Sequence, residues 1–138
     1  MTFSKGRIVT NNSGWELVRF CNKRETSVIG SFNKLLKHFV KNYDFDFLIT
    51  YCDIRWSGIN PKDTVYFKNN LQFVGFTPPS YWYMGKKNYN NRHHRFNFRK
   101  AKLVSEGYDS DKTEWEIMQE RNFDRIWDCG TMKFIYKK

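Results

Sequence analysis

Ser27-Val28-Ile29-Gly30-Ser31-Phe32-Asn33-Lys34-Leu35-Leu36-Lys37-His38-Phe39-Val40-Lys41 is the stretch that decides the fold. Phe32, Leu35, Leu36, Phe39 and Val40 recur at the spacing of one apolar helix stripe, while Lys34, Lys37, His38 and Lys41 fall off it and face water. Ahead of this helix, Trp15-Glu16-Leu17-Val18-Arg19-Phe20-Cys21 alternates in character and reads as a strand. Behind it, Phe45-Asp46-Phe47-Leu48-Ile49-Thr50-Tyr51-Cys52 reads as a second, too apolar in its middle to have a wet face. Strand, glycine turn, helix, strand predicts a βαβ unit with parallel strands. Gly30 stands where the first helix amides point outward. Gly30 and Ser31 therefore either relieve a tight turn or cradle an anion.

The chain has 138 residues, enough for one core, and no apolar run approaches the length of a spanning helix. No leader or membrane partner is expected. Thirteen Phe, eight Tyr and five Trp against a single alanine, Ala101, predict a core built on rings with many left partly exposed. The formal charge is +10, and residues 64–105 contain no Asp or Glu while holding Lys68, Lys86, Lys87, Arg92, Arg95, Arg99, Lys100 and Lys102. A cationic run this concentrated favours a polyanion, nucleic acid first and an anionic surface second; the expected partner is nucleic acid, DNA foremost, or else a host nucleoprotein or anionic protein. The alternative is a solvated loop, although solvated faces mix both signs. Cys21, Cys52 and Cys129 are odd in number and widely spaced, which speaks against disulfides and zinc and suits a reducing cytoplasm. His93-His94 lacks near partners for a metal. Asp44 and Asp46 lie roughly 20 Å from Asp53 across an extended strand, so no shared metal is expected.

In chain order, residues 3–9 predict a strand, Asn11-Asn12-Ser13-Gly14 a turn, and Trp15 the returning strand of a hairpin. Asp53-Ile54-Arg55-Trp56-Ser57-Gly58 forms a polar loop just past a buried strand, where ligands commonly sit. There Asp53 and Arg55 can pair or cap backbone, and Trp56 either plugs the core or offers a stacking face. Pro61-Lys62-Asp63 starts a short helix reaching Asn70. Leu71-Gln72-Phe73-Val74-Gly75-Phe76 is the next strand. Tyr81-Trp82-Tyr83-Met84 and Phe96-Asn97-Phe98-Arg99-Lys100 predict a hairpin across a long loop, with Arg95, Asn97 and Arg99 on one face. The expected nucleic-acid surface is then Lys86, Lys87, Arg92, His93, His94, Arg95, Arg99, Lys100 and Lys102 beside the rings of Tyr81 and Tyr83. Thr113-Glu114-Trp115-Glu116 is a capping box opening a helix to about Arg121. Arg125-Ile126-Trp127 and Met132-Lys133-Phe134-Ile135-Tyr136 predict a closing hairpin around Asp128-Cys129-Gly130-Thr131. The expected organisation is an α/β (α+β) core over residues 1–104, with a helix-hairpin extension over residues 105–138 packed on it.

The order of strand, Val28-Ile29-Gly30 turn, helix, strand, short helix and Phe73/Phe76 strand resembles the later half of the GCN5-related N-acetyltransferase (GNAT) fold, a mixed sheet around a central βαβ unit. A second resemblance spans nearly the whole chain. Ile49-Thr50-Tyr51-Cys52-Asp53-Ile54-Arg55-Trp56-Ser57-Gly58, Pro79-Ser80-Tyr81-Trp82-Tyr83, His94-Arg95-Phe96-Asn97-Phe98-Arg99-Lys100, Thr113-Glu114-Trp115-Glu116-Ile117-Met118 and Asp128-Cys129-Gly130-Thr131-Met132-Lys133 resemble the C-terminal accessory region of phage Hef-like homing endonucleases. In that family the nuclease chemistry lies in a separate N-terminal domain. The resemblance implies a stand-alone, phage-encoded version of that accessory region in the host cytoplasm; a protein acting against a host nuclease or defence system would carry the same features. The GNAT resemblance implies an alternative, acetyl-CoA-dependent N-acetyl transfer with pyrophosphate at Gly30 and Ser31 and a tyrosine as general acid. Against that motif, Phe32 stands where a small residue is expected and should crowd the phosphates. The tyrosine position falls on Lys68, leaving Tyr66 two residues early.

Overall fold

The computed structural model describes residues 1–5 and 14–138, which form an α+β fold with eight strands in two sheets and five α-helices. In chain order these are β1 (Thr2–Lys5), β2 (Gly14–Arg19), α1 (Ser31–Asn42), β3 (Phe47–Asp53), α2 (Ile54–Ser57), α3 (Val65–Lys68), β4 (Gln72–Thr77), β5 (Tyr81–Gly85), β6 (Asn88–His94), α4 (Lys100–Ser105), α5 (Glu114–Glu120), β7 (Phe123–Trp127) and β8 (Thr131–Lys137). Contacts divide them into two compact units, Met1–Pro78 with Gly130–Lys138, and Pro79–Cys129. This division differs from the expected cut between residues 104 and 105, because the two strands of the expected closing hairpin join different sheets.

The first unit holds a five-stranded sheet in the order β1-β2-β3-β8-β4. β2 and β3 are parallel, with Trp15 opposite Leu48, as the βαβ reading requires. β1 pairs antiparallel with β2, although most of the expected turn and residues 6–9 of the expected strand lie outside the described residues. The stripe of α1 buries Phe32, Leu36 and Phe39 against Leu17, Leu48, Met132 and Phe134, while Leu35 at its margin stays 43% exposed. Rings fill the layer: Phe39 stacks on Phe3 and Tyr43, and Phe32 meets Phe20 and Tyr66 edge to face. Buried Thr50 is satisfied by donating its hydroxyl to the Leu17 carbonyl at 2.9 Å. Gly30 caps α1 at φ +72°, and a Cβ there would meet no atom within 4 Å. The demand for glycine is therefore conformational rather than steric.

The second unit holds a three-stranded antiparallel sheet in the order β6-β5-β7. One face packs on helices through buried Tyr83, Leu103, Ile117 and Met118, ringed by Tyr81, Phe98, Trp115 and Phe123. Two expectations are corrected here. The partner of β5 is β6, closed by a tight turn at Lys86-Lys87, rather than a strand over residues 96–100. Asparagines 88, 90 and 91 favour turns over strands, yet pairing to β5 imposes the extended form, a tertiary override of propensity. Arg95–Phe98 is a 3-10 turn capped by His94, whose Nδ1 accepts from the Phe96 amide at 3.3 Å, and α4 follows. The alternation read as a strand is instead a turn that sends Phe98 inward and leaves Phe96 51% exposed. The second correction concerns the closing hairpin, which does not form. Trp127 pairs with Tyr81, whereas Thr131 lies opposite both Asp53 and Thr77. The capping box of α5 is present in both directions, with Thr113 Oγ1 accepting from the Glu116 amide and Glu116 Oε2 accepting from the Thr113 amide at 2.7 Å.

Candidate functional site

Strand alternation sorts β5 by face. Tyr81 and Tyr83 point to the helices, where both hydroxyls donate to Glu114 Oε1, at 2.9 and 2.7 Å. Tyr83 has no exposed surface, so its ring cannot stack on a base, and the expectation that it belongs to a binding surface is corrected. Burial pushes its phenol well above the ordinary value, so it stays protonated and serves as a hub between Glu114 and Arg125. Tyr81 is half-buried. Arg125 lies over its ring at 4.4 Å, and Trp127 lies 4.8 Å away.

Beside Tyr81 opens a polar cleft of about 250 Å³, lined by Tyr81, Arg95, Phe96, Arg99 and Glu114. The Arg99 guanidinium sits 4.1 Å over the Phe96 ring, and Arg95 lies 5.4 Å from the rings of both Tyr81 and Phe96. Neither arginine pairs with a carboxylate among the described residues. A guanidinium laid on a ring keeps its in-plane N–H donors available for an anion. The cluster thus presents fixed cations and rings together.

The remaining expected site residues scatter. Lys86 and Lys87 are exposed in the β5–β6 turn, Arg92 and His94 lie on one side of β6, and Lys100 and Lys102 lie on α4, where Lys102 approaches Glu106 at 3.8 Å. His93 faces the other way and packs its ring against Phe98 and Phe123. Ten of the 24 Lys and Arg residues and eight of the 14 Asp and Glu residues fall within Pro79–Cys129, a net of +2, which leaves +8 on the first unit. The basic run is therefore countered within its own unit by the acidic residues that follow it.

In the first unit, Asp53 caps α2 by accepting from the Arg55 amide at 2.9 Å, and the Arg55 guanidinium lies 5.1 Å over Trp56. Trp56 is 79% exposed, so of its two readings the core plug is excluded. A shallow cleft of about 210 Å³ at the start of α1 includes Asn22, Gly30, Ser31, Asn33 and Asn69. The Ser31 amide is already donated to the Val28 carbonyl at 3.2 Å. Phe32, expected to crowd a phosphate there, packs its ring into the core against Phe20 and Tyr66 and still lines the cleft. Tyr66 packs against Phe32 and Phe134, with its phenol pushed up by burial. All three cysteines are free, no group of three or more metal-binding side chains exists among the described residues, and no helix there is long and apolar enough to cross a membrane.

Sequence reading missed Glu114, Arg125, Trp82 and Phe96 as site residues. Trp82 was reachable: it alternates with Tyr81 and Tyr83 on one strand, so period two alone places it on the opposite face. Glu114 and Arg125 carried no such signal, since each meets Tyr83 from more than 30 positions away. No protein-family model, curated protein or solved structure gives a match to this chain.

Proposed function

We propose that this chain is a phage-encoded nucleic-acid-binding module with a GNAT-like first unit, acting against a host nuclease or defence system. The observation that carries the binding reading is the pair Arg95 and Arg99, held on the rings of Tyr81 and Phe96 around one cleft with no carboxylate partner of their own. Cations positioned beside stackable rings are what a phosphodiester chain with bases requires. The parallel β2–α1–β3 unit supports the GNAT-like description of the sheet. The test is affinity for labelled oligonucleotides across a salt series. The logarithm of affinity should fall linearly with the logarithm of salt, by roughly 0.7 to 0.9 per phosphate neutralised. Arg95→Ala with Arg99→Ala should flatten that line, and an unchanged slope would remove the cleft from the site.

A second reading, acetyl-CoA-dependent N-acetyl transfer, is favoured by one observation: a cleft of about 210 Å³ lies beside Gly30 and Ser31 at the start of α1. Against it, the Ser31 amide is already engaged and Tyr66 is packed among core rings. Titration calorimetry with acetyl-CoA separates the two. Tight binding that Gly30→Asp abolishes would favour the enzyme.

A further inference from the structure

We propose that the face of the three-stranded sheet turned away from its helices binds unpaired bases, so that the nucleic acid taken is single-stranded; this rests on the nucleic-acid reading above. Alternation puts Trp82 and Met84 of β5 on that face. Register places His94 and Ile126 on either side of Trp82, and Arg92 and Asp124 on either side of Met84. None of these residues belongs to the core of the unit, which is built from the opposite face. From Trp82 a line of rings runs outward. The His94 ring meets Trp82 edge-on at 4.9 Å, Phe96 meets His94 at 4.6 Å, and the Arg99 guanidinium covers Phe96 at 4.1 Å. Trp82 is 38% exposed and Phe96 51%, so the line is open to a ligand.

The geometry distinguishes strands from duplexes. In a duplex every interior base has both faces covered by its neighbours, so a row of exposed rings finds nothing to stack on. Unpaired bases offer those faces. Charge points the same way. The cations beside these rings are few, Arg92 and Arg99, so few phosphates are neutralised on this face and stacking must supply a large share of the affinity there. Arg99 supplies a cation at the Phe96 end, whereas at the Met84 end Asp124 offsets Arg92. The strand is therefore directed along Trp82, His94 and Phe96 towards Arg99.

The test is fluorescence anisotropy of the full chain with three probes of about 12 nucleotides, within the site sizes of single-strand binders: labelled oligo-dT, labelled oligo-U, and a duplex of the same length. Single-stranded probes should bind more tightly than the duplex, and the dT and U arms report whether DNA or RNA is preferred. Trp82→Ala should weaken single-strand binding by about 5- to 150-fold, the range for loss of one base–ring stack. Its salt slope should be unchanged, because no cation is removed. Phe96→Ala, an exposed position in a turn, should act in the same direction and carries the test if Trp82→Ala melts early. Duplex binding equal to or tighter than single-strand binding, with both variants within twofold of the parent, would overturn the inference while leaving the nucleic-acid reading standing. Failure of all three probes to bind would overturn both.

Discussion

Arg125 donates to the phenol oxygen of Tyr83 from Nη2 at 3.0 Å and from Nε at 3.3 Å, inside the second unit's core. The same hydroxyl donates onward to Glu114, which also accepts from Tyr81. Cation, phenol and carboxylate thus satisfy one another around a buried phenol, with Arg125 and Glu114 half-buried at its edge. Tyr83→Phe keeps the ring but removes the bridge, leaving Arg125 and Glu114 each short of a partner. It should destabilise the second unit by about 1–3 kcal/mol, the range for losing hydrogen bonds to charged groups. Urea unfolding measures this, and a change within about 0.5 kcal/mol, the range for an ordinary surface substitution, would mean that the network is not felt by the fold.

The same residue sets a pH dependence. Burial raises the Tyr83 phenol above its ordinary value of 10.0, so the folded chain keeps a proton that the unfolded chain gives up. The resulting stabilisation is fully present below pH 10.0 and is lost as pH rises from there through the folded value. Thermal melts through the alkaline range should show the parent losing stability more steeply than Tyr83→Phe. Equal slopes would place the titration elsewhere.

Thr113 begins α5 with both halves of the capping box made. Thr113→Ala should cost about 1 kcal/mol, as loss of an N-cap typically does. The two Thr113 bonds hold the Glu116 carboxyl below its usual range. Its contribution is therefore present above that range and disappears as pH falls through the lowered value. In Thr113→Ala the Glu116 carboxyl should titrate nearer its ordinary value, which carbon-detected NMR can follow.

Trp56 offers a contrasting case. It lies on the short helix after β3, exposed and covered on one side only by the Arg55 guanidinium. Trp56→Ala should change stability by no more than about 0.5 kcal/mol, as for an ordinary surface position. A loss of several kcal/mol in a denaturant titration would show that the ring is buried in solution.

What could be read from the sequence was whatever a local period encodes. The 3.6 spacing of Phe32, Leu36 and Phe39 gave α1 and its buried face, and Thr113 with Glu116 gave the start of α5. Long-range pairing was not readable. Arg125-Ile126-Trp127 and Met132-Lys133-Phe134 look like two arms of one hairpin, and only the competing offers of Tyr81 and Thr77 send them to different sheets. The site divided in the same way. The cations were visible as a run, but their neutralisation by residues 106–128 and the separation of Trp82 from Tyr83 depend on the fold.

The placement of β8 between β3 and β4 also has a consequence for synthesis. Residues 79–129 leave the ribosome after β4 and before β8, so the second unit, contiguous in sequence, is available to fold while β3 and β4 still lack their shared neighbour. During that interval both strands expose hydrogen-bonding edges and the apolar side chains that will meet Met132 and Phe134, a surface prone to sticking. The unit that is begun first is completed last, so slow emergence of β8 should reduce the yield of folded protein more than slow emergence of any strand in the second unit.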